Sequence, residues 1–180
     1  MKKDLSINFE IPEGVKVEVN GNLVTVKGRD KETKKEIEFG KISSKIDGKN
    51  MVLTAKNGTK RESRMIGTII AHINNMAQGI KEGFVYKMEI CNVHFPMNVK
   101  VEGEKVVIKS FLGEKVDRIA RILPNVKVSV KGSEIEITSP DVESAGQTAA
   151  NIEKASRLKG RDRRIFQDGI FIKEKCGVAI

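Results

Sequence analysis

A run of basic side chains near the end of the sequence has the residue types and spacing to bind phosphate groups. Residues 157–175 contain seven basic and three acidic side chains, whereas residues 85–156 contain ten of each sign. Guanidinium groups form paired hydrogen bonds with phosphate, and the glycines at positions 160 and 169 would let a phosphate backbone approach closely. The sequence therefore predicts a phosphate-binding patch, with the candidate residues Arg157, Lys159, Gly160, Arg161, Arg163, Arg164 and Lys173.

Two interpretations of this run stay open. The first alternative to a binding patch is a solvated, charged loop after a helix. Because residues 85–156 carry no net charge, the positive charge of the second half is concentrated in one place, which favours a binding patch. The second concerns Phe166 and Phe171, since an aromatic ring beside arginines can stack on an unpaired base. Together with Ile165, Ile170 and Ile172, these two residues favour instead a strand or an anchor in the core.

A second basic group is predicted at the start of a helix. It consists of Lys60, Arg61 and Arg64, directly after Asn57-Gly58-Thr59. Free backbone N–H groups at a helix N-terminus bind phosphate, and adjacent cations strengthen that binding. The alternative is an exposed helix end whose charges serve solubility.

Residue patterns for catalysis, cofactor binding or metal binding are absent from the sequence. It contains no P-loop, GxGxxG dinucleotide motif, HExxH zinc motif or GxSxG nucleophile elbow. His72 falls within a predicted helix, where a packing role is expected, and His94 forms only half of a zinc motif with Cys91. We expect no enzymatic activity, no cofactor, no metal and no small-molecule substrate.

Charge and composition favour a nucleic-acid partner. The 180-residue chain carries 33 Lys and Arg against 24 Asp and Glu, a formal net charge of +9 at pH 7, and such an excess attracts polyanions. No apolar run approaches the roughly 20 residues needed to cross a bilayer, and no signal-peptide pattern is present. We expect a cytoplasmic protein with no membrane contact, in which the isolated Cys91 and Cys176 stay as thiols.

Similar valine-rich hairpins indicate an internal duplication. Residues 15–30 (VKVEVNGNLVTVKGRD) align without a gap with residues 126–141 (VKVSVKGSEIEITSPD), at an offset of 111. Alternating apolar residues on both sides of a turn glycine are typical of antiparallel hairpins. Looser versions at residues 46–53 and 99–108 give four predicted hairpins.

A helix is predicted after the second and after the fourth hairpin. Residues 60–79 carry an apolar stripe at helical spacing, preceded by Thr59 and Glu62 at capping-box spacing. A shorter helix follows Ser139, its expected N-cap, and Gly160 is expected to end it.

The predicted order is hairpin, hairpin, helix and strand, repeated twice. Strands are favoured at residues 84–93 and 114–123, although the second segment is also compatible with a helix. The predicted fold class is therefore α+β, with two duplicated domains, each an antiparallel β-sheet packed against one α-helix. Their expected bounds are residues 1–84 and 85–180.

Several motifs on this duplicated frame resemble the ribosomal protein L6 family, in its archaeal and eukaryotic branch, over essentially the full length. In the first half the motifs are PEGV at residues 12–15, the hairpin that ends at residue 28, NNM at 74–76, Gly79 and Gly83-Phe84. In the second half they are FLGEK at residues 111–115, the hairpin at 126–138, GQTAANIE at 146–153 and KGRDRRIFQDGI at 159–170.

The resemblance implies two similar α+β domains and a structural protein of the large ribosomal subunit that binds rRNA. It implies binding mainly through the second domain, near the sarcin-ricin region and close to docked translational GTPases, with neighbouring ribosomal proteins as further partners. Residues 157–164 coincide with the RNA-facing motif of the family. The bacterial branch has a different, Pro-rich and Lys-Gly-rich ending, so its contacts do not transfer, and residues 173–180 have no strong match.

Two functional hypotheses from different classes result. The first is a non-catalytic protein that binds large-subunit rRNA through phosphate contacts and shape. The alternative is a protein-docking module that recruits a partner by strand addition to an exposed sheet edge, such as the predicted strand at residues 5–11.

Overall fold

The protein forms two compact units, which divide between Glu82 and Gly83 in a computed structural model that describes residues 3–28 and 31–180. Each unit combines antiparallel sheets with one long helix, so the predicted α+β class is confirmed. No helix in the described ranges is long and apolar enough to span a bilayer.

In the first unit, residues 3–28 and 31–82 form six strands and one helix. They are β1 (Lys3–Glu10), β2 (Lys16–Asn20), β3 (Leu23–Lys27), β4 (Glu32–Glu36), β5 (Ser43–Asp47), β6 (Asn50–Gly58) and α1 (Lys60–Lys81). Strands β1, β6 and β5 pair in that order, and β2, β3 and β4 form a second antiparallel sheet. Strand β1, the candidate docking edge, pairs with β6 and with no other strand of the described residues, and its Leu5 and Phe9 pack against the core of this unit.

The second unit contains eight strands and one long helix. They are β7 (Phe84–Cys91), β8 (Asn98–Glu102), β9 (Lys105–Lys109), β10 (Arg118–Arg121), β11 (Lys127–Lys131), β12 (Glu134–Ser139), α2 (Val142–Ala155), β13 (Gly169–Lys175) and β14 (Val178–Ala179). One sheet has the order β10-β9-β8, and the larger sheet has the order β11-β12-β7-β13-β14. The strands predicted at residues 84–93 and 114–123 are present as β7 and β10.

The two units repeat one order of elements, but not with the equivalence that the hairpin sequences predict. In each unit a single strand, a three-stranded sheet, a hairpin and a helix follow one another, so β2–β3 corresponds to β8–β9. Strand β2 starts at residue 16 and β8 at residue 98, an offset of 82, whereas the aligned hairpins are 111 apart. The sequence alignment paired non-equivalent hairpins because alternating Val or Ile around a turn glycine suits any short hairpin.

The helix ends differ from the prediction mainly in α2. Asp141, not Ser139, is the N-cap, since its two carboxylate oxygens accept the N–H groups of Glu143 and Ser144 at 3.2 and 3.0 Å. A carboxylate at a helix N-terminus also interacts favourably with the helix dipole. The helix ends at Ala155, before the predicted Gly160, whereas α1 starts as predicted and extends two residues further, to Lys81.

Each unit has its own apolar core between its helix and its sheets. In the first unit, Ile66, Ile69 and Ile73 of α1 are almost completely buried against the strands. In the second unit, α2 uses Ala145, Ala149 and Ile152. Small buried alanine side chains let a helix pack closely on a sheet.

A pair of glycine substitutions tests the packing of α1. A Cβ at Gly28 would lie 2.3 Å from Cγ2 of the buried Ile80, whereas a Cβ at Gly67, on the exposed side of α1, meets nothing within 4 Å. We expect Gly28→Ala to lower the free energy of unfolding by about 1–3 kcal/mol through overpacking. Gly67→Ala should raise it by about 0.5–1 kcal/mol because it removes helix-destabilising flexibility. Urea unfolding followed by circular dichroism measures both, and equal effects would contradict this packing.

Candidate nucleic-acid interface

The basic residues between positions 157 and 164 lie on one loop, called here the basic loop (residues 157–164), which follows the end of α2. Ser156 ends the helix and is buried. Its hydroxyl accepts the N–H of Ile170 in β13 at 3.0 Å and donates to the Glu153 carbonyl at 3.1 Å. These bonds attach the end of α2 to the first residues of β13, so both ends of the intervening segment are fixed to the fold.

The basic loop turns twice before it reaches β13. Gly160 adopts a left-handed backbone conformation with φ of 67°, which most other residues adopt only at a cost. Asp162 then nucleates a turn: its carboxylate accepts the N–H of Arg164 at 2.9 Å and its carbonyl accepts the N–H of Phe166 at 2.9 Å. The one acidic side chain of the loop is therefore used to fold its backbone.

Arg118 of β10 holds the start of the basic loop. Its guanidinium donates to the carbonyls of Ala155 and Arg157 at 3.0 and 2.9 Å and binds both carboxylate oxygens of Glu114 at 2.7 and 2.6 Å. It also lies 4.1 Å from the centroid of the Phe111 ring. The hydrogen bonds from Arg118 lower the pKa of Glu114, so Arg118 is a neutralised, structural cation.

The cations of the basic loop are exposed and form no salt bridge among the described residues, although Arg161 and Lys159 lie close enough to Glu114 to help lower its pKa. Within residues 3–28 and 31–180, no ion pair involves the exposed side chains of Arg157, Lys159, Arg161, Arg163 or Arg164. Arg161 instead lies over Phe166, 4.8 Å from the centroid of its ring. The structure thus brings five positive charges together on one segment of the surface, where they remain available to a polyanion.

A buried carboxylate fixes the far side of this segment. Asp168 is 1% exposed, and its oxygens accept the N–H groups of Val93 and His94 at 2.8 and 3.0 Å and lie 2.8 Å from Nδ1 of His94. Burial opposes ionisation of this carboxyl group, but the hydrogen bonds from His94 and Val93 together outweigh it and lower the pKa of Asp168. The His94 ring also contacts Phe166, with 4.9 Å between the ring centroids. The loop after β7 therefore packs against the residues that connect the basic loop to β13.

Lys173, which the sequence groups with these cations, lies in a different environment. Its ammonium group is 3.3 Å from a carboxylate oxygen of Glu89 and 3.7 Å from one of Glu134. The hydrogen bond and charge of Glu89 and the charge of Glu134 raise the pKa of Lys173. Lys173 therefore takes part in cross-strand pairs on the outer face of the large sheet and is not one of the unpaired cations.

The second basic group lies at a helix end whose backbone is already capped. Lys60, Arg61 and Arg64 are exposed at the start of α1, but the Thr59 hydroxyl accepts the N–H of Arg61 and the Glu62 carboxylate accepts the N–H of Thr59 at 2.8 Å. The hydrogen bonds from the Thr59 side chain and backbone lower the pKa of Glu62 to about 2. The N–H groups of Thr59 and Arg61 are therefore already bound, and the negative charge of Glu62 at this helix end opposes phosphate binding.

The cysteine and histidine residues that the sequence singled out do not form a metal site among the described residues. The described residues include no group of three His, Cys, Asp or Glu side chains that could hold a metal ion. Cys91 and Cys176 are free thiols. His72 is half-buried on α1, with Nδ1 3.1 Å from Nζ of Lys35.

Sequence reasoning missed the residues that hold the basic loop in position. Arg118 and Glu114 are four residues apart, a spacing that indicates a pair on a helix, but Arg118 is the first residue of β10 and Glu114 lies in the connection before that strand. Asp168 and His94 are separated by 74 residues. Asp side chains often bind backbone N–H groups near them in the sequence, but that tendency does not identify partners 74 residues away.

Comparison with known proteins also finds two similar units in the chain. A family model described as Ribosomal protein L6 matches the chain twice, at residues 11–83 and 95–169. The chain belongs to the ribosomal protein L6 family. The two matches start 84 positions apart, close to the offset between the equivalent strands and not to the offset of 111 between the similar hairpins.

Three curated relatives of this L6 family chain come from archaea. The large ribosomal subunit protein uL6 of Methanococcus vannielii is 47% identical over 169 residues, which cover 94% of this chain and 93% of the relative. Its counterpart from Aeropyrum pernix is 44% identical over 182 residues, or 99% and 100% of the two chains. That from Methanobrevibacter smithii is 46% identical over 167 residues, or 93% and 94%. These L6 family members are structural ribosomal proteins and not enzymes.

The Asp168 carboxylate gives a prediction about stability and its dependence on pH. Asp168→Ala leaves two backbone N–H groups and the His94 ring without their acceptor, so we expect the free energy of unfolding to fall by about 2 kcal/mol at pH 7. Asp168→Asn keeps one acceptor oxygen and should lose less.

Because the folded-state pKa lies below the ordinary 3.8, the stabilisation by the ionised form is present above pH 3.8 and is lost as the pH falls through the lowered pKa. Urea unfolding between pH 7 and pH 2 measures the difference between the wild type and Asp168→Asn. A difference that stays constant to pH 2 would contradict the assigned role of this carboxylate.

Proposed function

We propose that the L6 family chain is a non-catalytic component of the large ribosomal subunit that binds rRNA mainly through the basic loop of its second unit. The observation that carries this proposal is the set of five exposed cations that form no salt bridge among the described residues, on a loop whose backbone is held by Arg118 and Asp162. The large-subunit relatives support the assignment to the ribosome.

The physical mechanism is the neutralisation of phosphates by a preorganised set of cations. Each phosphate that a guanidinium or ammonium group neutralises releases condensed counterions, so affinity depends strongly on salt. A loop that is already ordered loses little conformational entropy on binding. Folded RNA is recognised mostly through its backbone and shape, which suits a surface of exposed arginines on a rigid frame.

The location of binding follows from the family resemblance. We propose contact near the sarcin-ricin region of the large-subunit rRNA, with translational GTPases docking nearby and other ribosomal proteins as neighbours. The loop motif at residues 159–170 lies almost entirely within the second match to the family model, which supports transfer of this role within the archaeal and eukaryotic branch.

Lys60, Arg61 and Arg64 have a smaller role in this proposal. They contribute positive charge at the start of α1, but the helix end itself does not bind phosphate, because the Glu62 carboxylate caps it. Lys173 contributes still less, since Glu89 and Glu134 neutralise it. The proposed interface therefore includes fewer cations than the basic composition of the chain indicates.

Removal of the loop arginines tests the proposal. For the variant with Arg161→Ala, Arg163→Ala and Arg164→Ala, we expect weaker binding to a large-subunit rRNA fragment. The slope of log K against log salt should fall by about 2–3, because each lost phosphate contact removes about 0.7–0.9 from it. Filter binding between 50 and 300 mM KCl measures the slope, and thermal unfolding should change little because these side chains pack against little of the core.

A charge-matched control separates the loop from net charge. Lys100→Ala, Lys105→Ala and Lys127→Ala together remove three exposed cations from strands of the same unit. This variant should bind with nearly the wild-type slope. Equal slopes for the two triple variants would show that overall charge, and not the basic loop, determines binding.

A further inference from the structure

A groove beside the basic loop has features that the phosphate contacts do not explain. It has a volume of about 680 Å³ and lies between the end of α2, the first residues of β13 and residues 163–168. This volume is typical of small-ligand sites. We propose that the groove binds a single unstacked nucleotide of the RNA, with its base on the ring of Phe171 and its phosphate at Arg157 and Arg163.

The aromatic wall of the groove is exposed and held in position. Phe171 is 39% exposed although it lies in a strand. Its ring lies over Gly169, where a Cβ would come within 2.8 Å of Cζ. Phe166 also lines the groove, but its ring already contacts Arg161 and His94. Phe171 is therefore the ring of this groove that is free to stack on a base.

The charge of the groove selects the kind of occupant. Lys154, Arg157 and Arg163 contribute three positive groups to its lining, and Glu153 contributes one negative group. The carboxylate of Asp168 is already bound by Val93 and His94. A mixed lining of apolar surface and cations is complementary to a nucleotide, which carries an apolar base and an anionic phosphate. Unpaired bases in RNA are commonly recognised by stacking on aromatic rings and by arginine.

This inference rests on the proposed rRNA binding and adds a specific requirement to it. Phosphate binding by the basic loop alone would treat all RNA helices alike. A nucleotide in the groove requires instead a bulged or looped base next to the bound helix. The two contributions can be separated, because Arg161 and Arg164 do not line the groove whereas Phe171 carries no charge.

Three matched RNA hairpins and the full-length protein provide the test. One hairpin has a single bulged adenosine, the second has an abasic ribose at the same place, and the third is fully paired. The bulge is moved along the stem in separate RNAs. At the best position we expect the wild type to bind the adenosine bulge about 10-fold more tightly than the abasic bulge, from one stacked base.

Variants assign this preference to the groove. Phe171→Ala should bind the adenosine and abasic bulges equally, whereas Phe171→Tyr should keep the preference. Gly169→Ala should reduce it without removing any groove side chain, since its Cβ would displace the Phe171 ring. Circular dichroism spectra and melting temperatures are measured for each variant. Where the spectrum is unchanged and the melting temperature is within a few degrees of the wild type, a change in RNA binding can be attributed to the Phe171 ring.

Two outcomes would overturn the inference. One is equal affinity of the wild type for adenosine and abasic bulges at every position. The other is a preference that persists in Phe171→Ala. The double variant Arg161→Ala and Arg164→Ala should weaken binding of all three hairpins in parallel and keep the preference. If this double variant binds like the wild type, the proposed function fails independently of the groove.

Discussion

The carboxylates around the basic loop are bound to groups other than its cations, and the positive surface depends on this separation. Glu114 binds Arg118, the Asp162 carboxylate accepts a backbone N–H, and Asp168 binds the loop that contains His94. Asp162 and Asp168 thereby order backbone N–H groups, Glu114 holds the Arg118 side chain, and none of the three forms a salt bridge with a cation of the basic loop. The fold thus gains order and keeps its positive charge, because the negative charges are used internally.

The basic loop belongs to the part of the structure that distinguishes the two units. Both units contain a strand, a three-stranded sheet, a hairpin and a helix, but only the second continues with β13 and β14. Strand β13 pairs with the edge of β7 and β14 pairs with β13, whereas the corresponding edge of β1 in the first unit is not extended in this way among the described residues. The basic loop lies in the connection between α2 and this added hairpin. The candidate RNA surface is therefore found in the part of the second unit that the first unit lacks among the described residues.

The fold was largely predictable because its signals are local. Alternating valines and isoleucines with turn glycines predicted all four hairpins, and Thr59, Glu62 and the apolar stripe predicted α1. The equivalence of the hairpins was not predictable in this way, since short antiparallel hairpins share one pattern wherever they lie in a sheet. The N-cap of α2 was also missed, because Ser139, Pro140 and Asp141 offer overlapping start signals whose competition is decided by the backbone path out of β12.

For the candidate site, the sequence by itself determined where the positive charge is concentrated, because four of the nine arginines lie within residues 157–164. An arginine side chain is positively charged whatever its surroundings, so the position of this charge can be read from the sequence. The tertiary structure decided which cations are free and what holds them. Lys173 meets Glu89 and Glu134 only through the register of three strands, and Asp168 meets His94 only because β7 and β13 are neighbours. Such contacts join residues far apart in the chain, and their distances are set by packing and strand pairing, which no local pattern of residues encodes.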